Sequence, residues 1–263
     1  MFNCNLVWGL RYLQASVLLP LYNKDKATPP RAVPVQLSQL PKFKRPRKNA
    51  PKVQWDEYRE LTKKHNASTE FVKQLRYLRN ELNLMGYAEK DLLAVVDGSY
   101  CNRTCLSQDF NKTHVLGRTR KDARLYYRDQ QGRRFYSEES ITPEEIRGDA
   151  EISYVKTRIF YGGSWHRLRY KELKEVYWKN GTKRKPLRLI VIAPTPYRLT
   201  KQSGLFYRQP AYLLTTDLET DVEVLIQKYC DRWQIEVNFQ EEKSIMGFGK
   251  QQVWSEKSIP RMP

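Results

Sequence analysis

A run of five consecutive apolar residues, Leu92–Val96, limits the possible folds more than any other feature of the chain. Such runs are typical of strands buried on both faces, which occur mainly in the parallel sheets of α/β proteins. A short helix over residues 102–110 and a strand over 114–119 are expected to follow, which gives a strand–helix–strand unit. Asp97 comes directly after the apolar run, and Gly98 permits a tight turn there. Because functional groups of open α/β sheets collect at the carboxyl ends of strands, Asp97 is a candidate functional residue.

Periodic apolar patterns predict the elements before this unit. Apolar residues recur at helical spacing over residues 69–85 and Gly86 follows, which predicts a helix that ends there. A shorter helix is expected over residues 56–65. The apolar N-terminal stretch lacks the basic start and the cleavage site of a signal peptide, so it predicts two buried strands, 5–13 and 15–22. A chain that starts inside a core hairpin indicates that a preceding segment is missing.

A proline-rich basic segment separates this hairpin from the helices. Residues 26–55 contain eight basic residues, six prolines and no acidic residue. Proline at this density opposes helices and sheets, so the segment is predicted to be an extended, exposed loop. Its densest part contains Lys44, Arg45, Arg47 and Lys48. These side chains are candidate contacts to DNA phosphates, and a solvated linker explains the same composition equally well.

The overall charge restricts the class of partner. Lys plus Arg number 47 and Asp plus Glu number 29, which gives a net charge of +18 and a pI near 9.7. A globular chain with this charge is expected to bind a polyanion, and nucleic acid is the default candidate. The 40% of hydrophobic residues exclude a disordered chain. Four cysteines without a metal-ligand spacing indicate reduced thiols rather than a zinc site or a disulfide scaffold.

The character of the chain changes at residue 129. From there to residue 205 the sequence is β-rich and aromatic, with predicted strands at 152–160, 165–170, 175–178 and 187–192. A further strand at 211–216 is expected to return to the main sheet. We therefore predict three parts: the first part of a core over residues 1–128, a mostly β insertion over 129–205, and the last strand and helix of the core over 206–263.

The last long element, predicted as one helix over residues 221–245, carries the most informative pattern. Thr220 followed by Glu223 matches a capping box at its start. At about 100° per residue, four polar residues share a stripe about 60° wide: Tyr229, Arg232, Glu236 and Lys243. Geometry alone leaves two interpretations open. Arg232 and Glu236 are an ordinary surface pair, or Glu236 packs near Asp97 and the two carboxylates bind a metal ion.

The four residues of this stripe reproduce a known signature. They match the Y-x2-R-x3-E-x6-K pattern of DDE transposases from bacterial insertion sequences, and YCDRWQIEVNFQEEKSIMG resembles the catalytic helix of that family. LLAVVDGSY and THVLGRTRKDARLYY resemble its second-Asp strand and the strand that follows. The resemblance implies an α/β, RNase H-like fold, in which a mixed sheet is flanked by helices and a mostly β insertion precedes the C-terminal catalytic helix.

The resemblance also implies an activity and its residues. In this family two Asp and one Glu bind two divalent ions, Mg²⁺ or Mn²⁺, which activate water and then a DNA 3′-hydroxyl for attack on phosphodiesters. Asp97 would be the second Asp and Glu236 the Glu, both catalytic and metal-binding. Tyr229, Arg232 and Lys243 would bind DNA near the cut end. The implied partners are transposon ends, target DNA and a second copy in a homodimeric synaptic complex, at the nucleoid in the bacterial cytoplasm.

A further basic group follows the second predicted strand. Arg118, Arg120 and Lys121 lie in the RTRKDAR stretch. They are candidate phosphate contacts, and a solvated turn explains them equally well.

The chain departs from the family pattern at the first Asp, because no acidic residue precedes Asp25. The first strand and its Asp are therefore expected to be missing, and the chain to be truncated at both ends. The alternative makes Asp97 the first Asp and Asp122 or Asp217 the second. A partial site would support little or no strand transfer, whereas DNA binding would be retained. A non-catalytic basic DNA-binding remnant and another RNase H-like nuclease stay open as alternatives.

Overall fold

A sheet of six strands, with helices on both faces, holds most of the buried core. The computed structural model describes residues 11–21, 27–198, 200, 202–245 and 247. In chain order the elements are β1 (Arg11–Leu19), β2 (Arg31–Leu40), α1 (Lys52–Lys64), α2 (Ala67–Leu84), β3 (Leu92–Val96), α3 (Arg103–Leu106), β4 (Thr113–Arg118), α4 (Pro143–Gly148), β5 (Val155–Tyr161), β6 (Ser164–Tyr177), β7 (Pro186–Ile192), β8 (Pro196–Tyr197), β9 (Phe206–Tyr207), β10 (Ala211–Thr215), α5 (Val222–Asp231) and α6 (Gln234–Ser244).

The strand order of the six-stranded sheet is β3-β4-β10-β7-β6-β5. β3 and β4 are parallel, and the other neighbouring pairs are antiparallel. α2 and α4 pack on one face, which we call the α2 face, and α5 packs on the other, the α5 face. This mixed α/β architecture confirms the predicted fold class and is consistent with an RNase H-like fold.

The central strands supply both faces because successive side chains of a strand point to opposite sides. In β7, Leu187, Leu189 and Val191 belong to the α2-face cluster, whereas Ile190 and Ile192 belong to the α5-face cluster. Complete burial of one such side chain contributes about 1.5–3 kcal/mol. A strand that is apolar on both sides is therefore most stable at the middle of the sheet, where β7 lies.

β1 and β2 form a separate two-stranded antiparallel sheet. The predicted division into two N-terminal strands, 5–13 and 15–22, is wrong, because the single strand β1 continues through Gln14. Residues 5–10 and 22 lie outside the described ranges. The predicted loop is also wrong over β2. This strand tolerates Pro34 because the proline lies at a register irregularity, opposite Ser16, where the ladder of hydrogen bonds is already interrupted.

The two helices predicted before β3 are confirmed with shifted bounds. α1 begins at Lys52, directly after Pro51, which lacks an amide proton and is compatible with a helix start. α2 begins after Asn66, whose side chain accepts a hydrogen bond from the Thr69 amide at 3.0 Å. It is followed by Gly86, whose φ of +86° lies in the region that glycine adopts most readily.

The single helix predicted over residues 221–245 is wrong, because α5 ends at Asp231 and α6 begins at Gln234. Between them the Trp233 amide donates to the Cys230 carbonyl at 3.2 Å, and the Ile235 amide donates to the Arg232 carbonyl at 3.0 Å. These bonds span three residues rather than four, so the backbone is tightened here into a 3₁₀-like turn.

The capping box predicted for this helix is also wrong. Asp221 occupies the N-cap position and makes no side-chain capping bond. Glu223 instead accepts a hydrogen bond from the Tyr170 hydroxyl of β6 at 2.7 Å, and the Thr220 amide donates to Asp217 Oδ1 at 2.9 Å. The carboxylate and the amide that a capping box would pair are therefore bonded to other groups.

β6 unites the strands predicted at 165–170 and 175–178. Its pairing with β7 is irregular between Leu173 and Val176, where Glu175 has a φ of +55°. β7 in turn pairs with β10, so β5, β6 and β7 belong to the same sheet as β3 and β4, whereas β8 pairs with β9 in a separate two-stranded sheet. The division of the chain into three parts stays a prediction.

Candidate active site at the carboxyl edge of the sheet

Asp97 lies at the carboxyl end of β3, on the α5 face. Leu93 and Val95 pack against the α5-face cluster, and Asp97 follows Val95 by two residues in extended conformation, with φ −78° and ψ 175°. Because side chains alternate along extended chain, Asp97 points to the same face. One carboxylate oxygen of this exposed residue accepts hydrogen bonds from the Ser99 amide at 2.7 Å and the Ser99 hydroxyl at 2.5 Å. These bonds fix the carboxylate at the start of a 3₁₀ turn, Gly98–Tyr100.

Arg118 lies next to Asp97 at the end of β4, because the parallel register places Val96 opposite Gly117. The chain that leaves β3 passes close over Gly117. A Cβ atom there would lie 2.9 Å from Val96 Cγ2 and 3.2 Å from Cys101 Cβ. Glycine therefore allows this close approach, and the approach sets the position of Asp97 relative to β4.

Tyr229 of α5 connects this edge to the last helices. Its half-buried side chain packs in the α5-face cluster with Leu93 and Val95. Burial raises the pKa of Tyr229, the charges of Arg232 and Arg118 lower it, and the charge of Asp97 raises it. The phenol therefore lies within electrostatic range of Asp97 and of both arginines.

Arg232 links Tyr229 to Glu236. Its guanidinium carbon lies 5.8 Å from the centre of the Tyr229 ring. One terminal nitrogen, Nη2, lies 3.4 Å from Oε1 of Glu236, whose side chain is 42% exposed. The buried Nε of Arg232 has no hydrogen-bond partner in the part of the chain that the structure describes. Tyr229, Arg232 and Glu236 therefore form a series of contacts, and Asp97 lies within electrostatic range of Tyr229.

Polar contacts to the β1–β2 hairpin orient α6. Gln14 Nε2 donates to Asn238 Oδ1 at 2.8 Å and to Glu242 Oε1 at 3.2 Å. At about 100° per residue, these two acceptors lie about 100–160° around α6 from Glu236 and Lys243. α6 therefore binds the hairpin with one side and presents Glu236 and the exposed Lys243 on the other.

The basic loop after β2 lies at the same edge of the molecule. Asn102, in the turn after Asp97, donates to the Ser68 hydroxyl of α2 at 2.8 Å. His65, just before α2, lies 5.9 Å from Phe43 of the loop between ring centres. The four basic residues predicted here are all exposed: Lys44, Arg45, Arg47 and Lys48.

Arg120 and Lys121 line an open cleft that adjoins Asp97, which we call the edge cleft. Its lining residues are Gly98, Arg118, Thr119, Arg120, Lys121, Asp122, Glu144, Arg147, Pro194, Gln209, Pro210 and Tyr212. Two ion pairs lie within it: Arg120 with Asp122 at 2.6 Å and Arg147 with Glu144 at 2.6 Å.

The second of these ion pairs determines the electrostatics of the cleft. Hydrogen bonds from Arg147 and from the Tyr212 hydroxyl lower the pKa of Glu144 to about 2. Burial, together with the same hydrogen bond to Glu144, raises the pKa of Tyr212 to about 12. At neutral pH the cleft therefore contains an ionised Glu144 and a neutral Tyr212.

Arg147, Glu144 and Tyr212 are not among the residues that the sequence predicts for a functional site. One signal was available: Thr142 and Glu145 form a complete capping box, with Pro143 at the first helical position, and this pattern marks the start of α4. The contact between Glu144 and Tyr212 had no such signal, because it joins residues 68 positions apart.

Asp97 and Glu236 provide the oxygen ligands that Mg²⁺ prefers. Mg²⁺ is commonly bound through one or two carboxylates together with substrate phosphates. In the described ranges, no group of three or more His, Cys, Asp or Glu side chains is placed to hold a metal ion. Asp97 and Glu236 as joint ligands of one ion stay a prediction.

The other two candidate carboxylates are engaged elsewhere. Asp217 is 5% exposed and accepts hydrogen bonds from the amides of Glu219 and Thr220 at 3.0 and 2.9 Å. Burial raises the pKa of Asp217, and the hydrogen bonds from Thr220 and Glu219 lower it. The hydrogen bonds together have the larger effect, so the pKa lies below its usual value. Asp122 forms the exposed pair with Arg120. Asp217 stabilises a turn, and Asp122 balances an arginine of the edge cleft.

A comparison with known protein families shows the family of this chain. The family model of the transposase DDE domain matches residues 60–256, about three quarters of the chain. This chain belongs to the transposase DDE domain family. The match includes Asp97 and the whole of α5 and α6, and it leaves out the β1–β2 hairpin and the basic loop.

A search of curated proteins finds no significant match to this DDE-domain chain. Over the described ranges, none of the helices combines the length and apolar character needed to cross a bilayer. The predicted relationship to DDE transposases is confirmed at the level of the family. The site residues stay predictions, with the positions given above.

Proposed function

We propose that this chain acts in DNA transposition as a DDE transposase of the Y-R-E-K type, by phosphoryl transfer at the ends of an insertion sequence. The observation that carries the proposal is the meeting of β3 and α5. Tyr229 lies within electrostatic range of Asp97, and Arg232 joins Tyr229 to Glu236. These contacts support a shared site for Asp97 and Glu236, 139 positions apart in a chain of the transposase family.

The proposed residues have different roles in metal binding, positioning and DNA contact. Asp97 and Glu236 would hold Mg²⁺ or Mn²⁺, which when bound neutralises charge on phosphate oxygens and activates the attacking oxygen. Arg232 holds the Glu236 carboxylate through an ion pair, and the Tyr229 ring supports the guanidinium. Lys243 stands two helical turns beyond Glu236, about 10 Å along α6, where it would contact a neighbouring phosphate. A homodimer would hold two transposon ends.

The number of carboxylates limits the expected activity. The family's mechanism uses three, and Asp122 and Asp217 are occupied by other contacts. Among the described residues we assign no first Asp to the site. A two-metal site that lacks one ligand stabilises the transition state poorly, so this chain alone is expected to bind DNA well and to transfer strands weakly.

A non-catalytic DNA-binding role is the second candidate. The pair of carboxylates and the net charge of +18 favour it. Both candidates predict salt-sensitive DNA binding, because basic side chains displace counterions from phosphates. Only the first predicts metal-dependent cleavage.

Nicking of supercoiled plasmid with Mn²⁺ separates the two candidates. The informative variants are Asp97→Asn and Glu236→Gln, and Asp122→Asn is the matched control because it removes a carboxylate from the same edge. We expect slow nicking by the natural chain and by the control, and loss of nicking in the other two variants. Nicking that persists in both would contradict the site assignment, and DNA binding without any nicking would favour the second candidate.

A further inference from the structure

Most of the edge cleft lies on the opposite face of the sheet from Tyr229, and Arg118, whose charge also acts on Tyr229, lies between the two faces. Tyr212 and Ile146 of α4 belong to the α2-face cluster, whereas Tyr229 packs on the α5 face. Gly98, which follows Asp97 directly, lines the cleft. The exposed Asp97 therefore has the Tyr229–Arg232–Glu236 series on one side and the edge cleft on the other.

The edge cleft is positively charged. It contains Arg118, Arg120, Lys121 and Arg147 together with two carboxylates, so its net charge is +2. Both carboxylates are already paired with an arginine. Arg118 and Lys121 have no ion-pair partner within the described part of the chain. A cationic concavity of this kind concentrates anions at its surface.

The paired arginines keep donors for a ligand. Glu144 accepts from Nε and Nη2 of Arg147, and Asp122 accepts from Nε and Nη2 of Arg120. A guanidinium has five N–H donors in a planar fork, so the pair with Asp122 leaves the Nη1 side of Arg120 for phosphate oxygens. Arg147 also interacts with the Tyr212 hydroxyl, so Glu144 and the phenol together fix its guanidinium within the cleft.

The size and lining of the cleft fit a nucleic-acid backbone. Its volume is about 870 Å³, at the upper end of the range of about 300–1,000 Å³ that is common for ligand sites. Pro194, Pro210 and the Tyr212 ring supply apolar surface between the charged groups. Alternating cationic and apolar surface is suited to phosphates and the sugars between them.

We propose that the edge cleft binds the sugar–phosphate backbone of a second DNA duplex, separate from the one held by Tyr229, Arg232 and Lys243. The proposal rests on the proposed function, because strand transfer brings two DNA segments to one set of carboxylates. The two cationic surfaces on opposite sides of Asp97 provide a separate binding site for each DNA segment. Arg147 and Lys121 belong to the edge cleft alone, so they distinguish it from the site of Tyr229, Arg232 and Lys243.

The test counts duplexes on each chain. Native mass spectrometry with a 16-base-pair duplex gives the stoichiometry, and fluorescence anisotropy at several salt concentrations gives affinity and salt slope. The cleft variants are Lys121→Gln and Arg147→Gln. The control is Arg133→Gln, which removes one exposed cation from the 126–141 loop, beside Tyr177 at the opposite end of β6 and β7.

A third cleft variant, Glu144→Gln, changes the charge in the other direction. It removes a carboxylate and raises the net charge of the cleft from +2 to +3. A purely structural role for this region predicts weaker binding or poorer folding in all three cleft variants. The proposal predicts tighter binding of the second duplex in Glu144→Gln alone.

We expect two duplexes per chain for the natural protein and for Arg133→Gln, and one for Lys121→Gln and Arg147→Gln with unchanged melting temperatures. Loss of one phosphate contact lowers the slope of log affinity against log salt by about 0.9. One duplex per chain in every variant, or cleft variants that match Arg133→Gln, would overturn the proposal and leave the proposed function standing. If no variant binds any duplex, the proposed function itself fails.

Discussion

Gly117→Ala tests how the approach of two strand ends positions Asp97. The new methyl group would lie 2.9 Å from Val96 Cγ2 and 3.2 Å from Cys101 Cβ, and 3.6 Å from the Asp97 carbonyl oxygen. Contacts below 3.0 Å require a shift. Val96 is buried at 8% exposure in a strand paired with β4, so neither partner can move freely. Overpacking of this kind destabilises proteins by about 1–3 kcal/mol.

Gly148→Ala is the matched control for this change. A Cβ at Gly148 would meet nothing within 4 Å, and the residue ends helix α4. Alanine at a compatible glycine position stabilises by about 0.4–1 kcal/mol, mainly because the unfolded chain has fewer conformations. The same added methyl group is therefore expected to have opposite effects at the two positions.

The assay is urea unfolding followed by tryptophan fluorescence, with the free energy of unfolding extrapolated to zero urea. We expect Gly117→Ala to be less stable than the natural chain and Gly148→Ala to be equal or slightly more stable. Equal stability of Gly117→Ala and the natural chain would refute the argument that this glycine permits a close approach that no other residue allows.

Three further outcomes are expected. Arg188→Ala should lower the free energy of unfolding by about 3–5 kcal/mol, because the Arg188 side chain is 3% exposed and its loss leaves Glu172 unpaired. In the same urea assay Arg120→Ala should change the free energy of unfolding by less than about 0.5 kcal/mol, because the Arg120 side chain is 84% exposed. Burial raises the pKa of the Cys101 thiol to about 12, so mass spectrometry after iodoacetamide treatment at pH 8 should find Cys101 unmodified in the folded chain and modified in urea, and rapid labelling in the folded chain would contradict this. With six to ten phosphate contacts, DNA affinity should fall by about 10³–10⁵ between 50 and 200 mM salt, and a flat response in anisotropy titrations would show that the basic surfaces do not bind phosphates.

Local patterns predicted the parts of the fold that depend on neighbouring residues. The apolar run of β3 and the helical repeat of α2 are complete within one element, so their type could be assigned from sequence alone. The same applies to the position of Asp97 at a strand end. The stripe of Tyr229, Arg232 and Glu236 was found because residues three and four apart meet on one side of a helix.

Features that depend on distant contacts could not be predicted in this way. β2 pairs with β1 although Pro34 lies within it, because a register irregularity accommodates the proline. The edge cleft forms where α4 meets Tyr212 of β10, and the sequence gives no sign of that meeting. The break between α5 and α6 is a further example, since the helical pattern of the sequence continues through Arg232 and Trp233 without interruption.

The central claim is that Asp97 and Glu236 act on one divalent ion. Electron paramagnetic resonance measures the Mn²⁺ affinity of the DNA complex in the natural chain, Asp97→Asn, Glu236→Gln and the double variant, and so tests the claim directly. Asparagine can replace the capping function of Asp97 toward Ser99, so the substitution tests the charge rather than the turn.

If the two carboxylates share an ion, each single substitution weakens Mn²⁺ binding at least tenfold. The Mn²⁺ affinity of the double variant then equals that of the single variant with the lower affinity, because the shared site is already lost. A single substitution that leaves one class of bound Mn²⁺ at its original affinity would indicate two independent sites. Mn²⁺ affinity that is unchanged in all three variants would contradict the account.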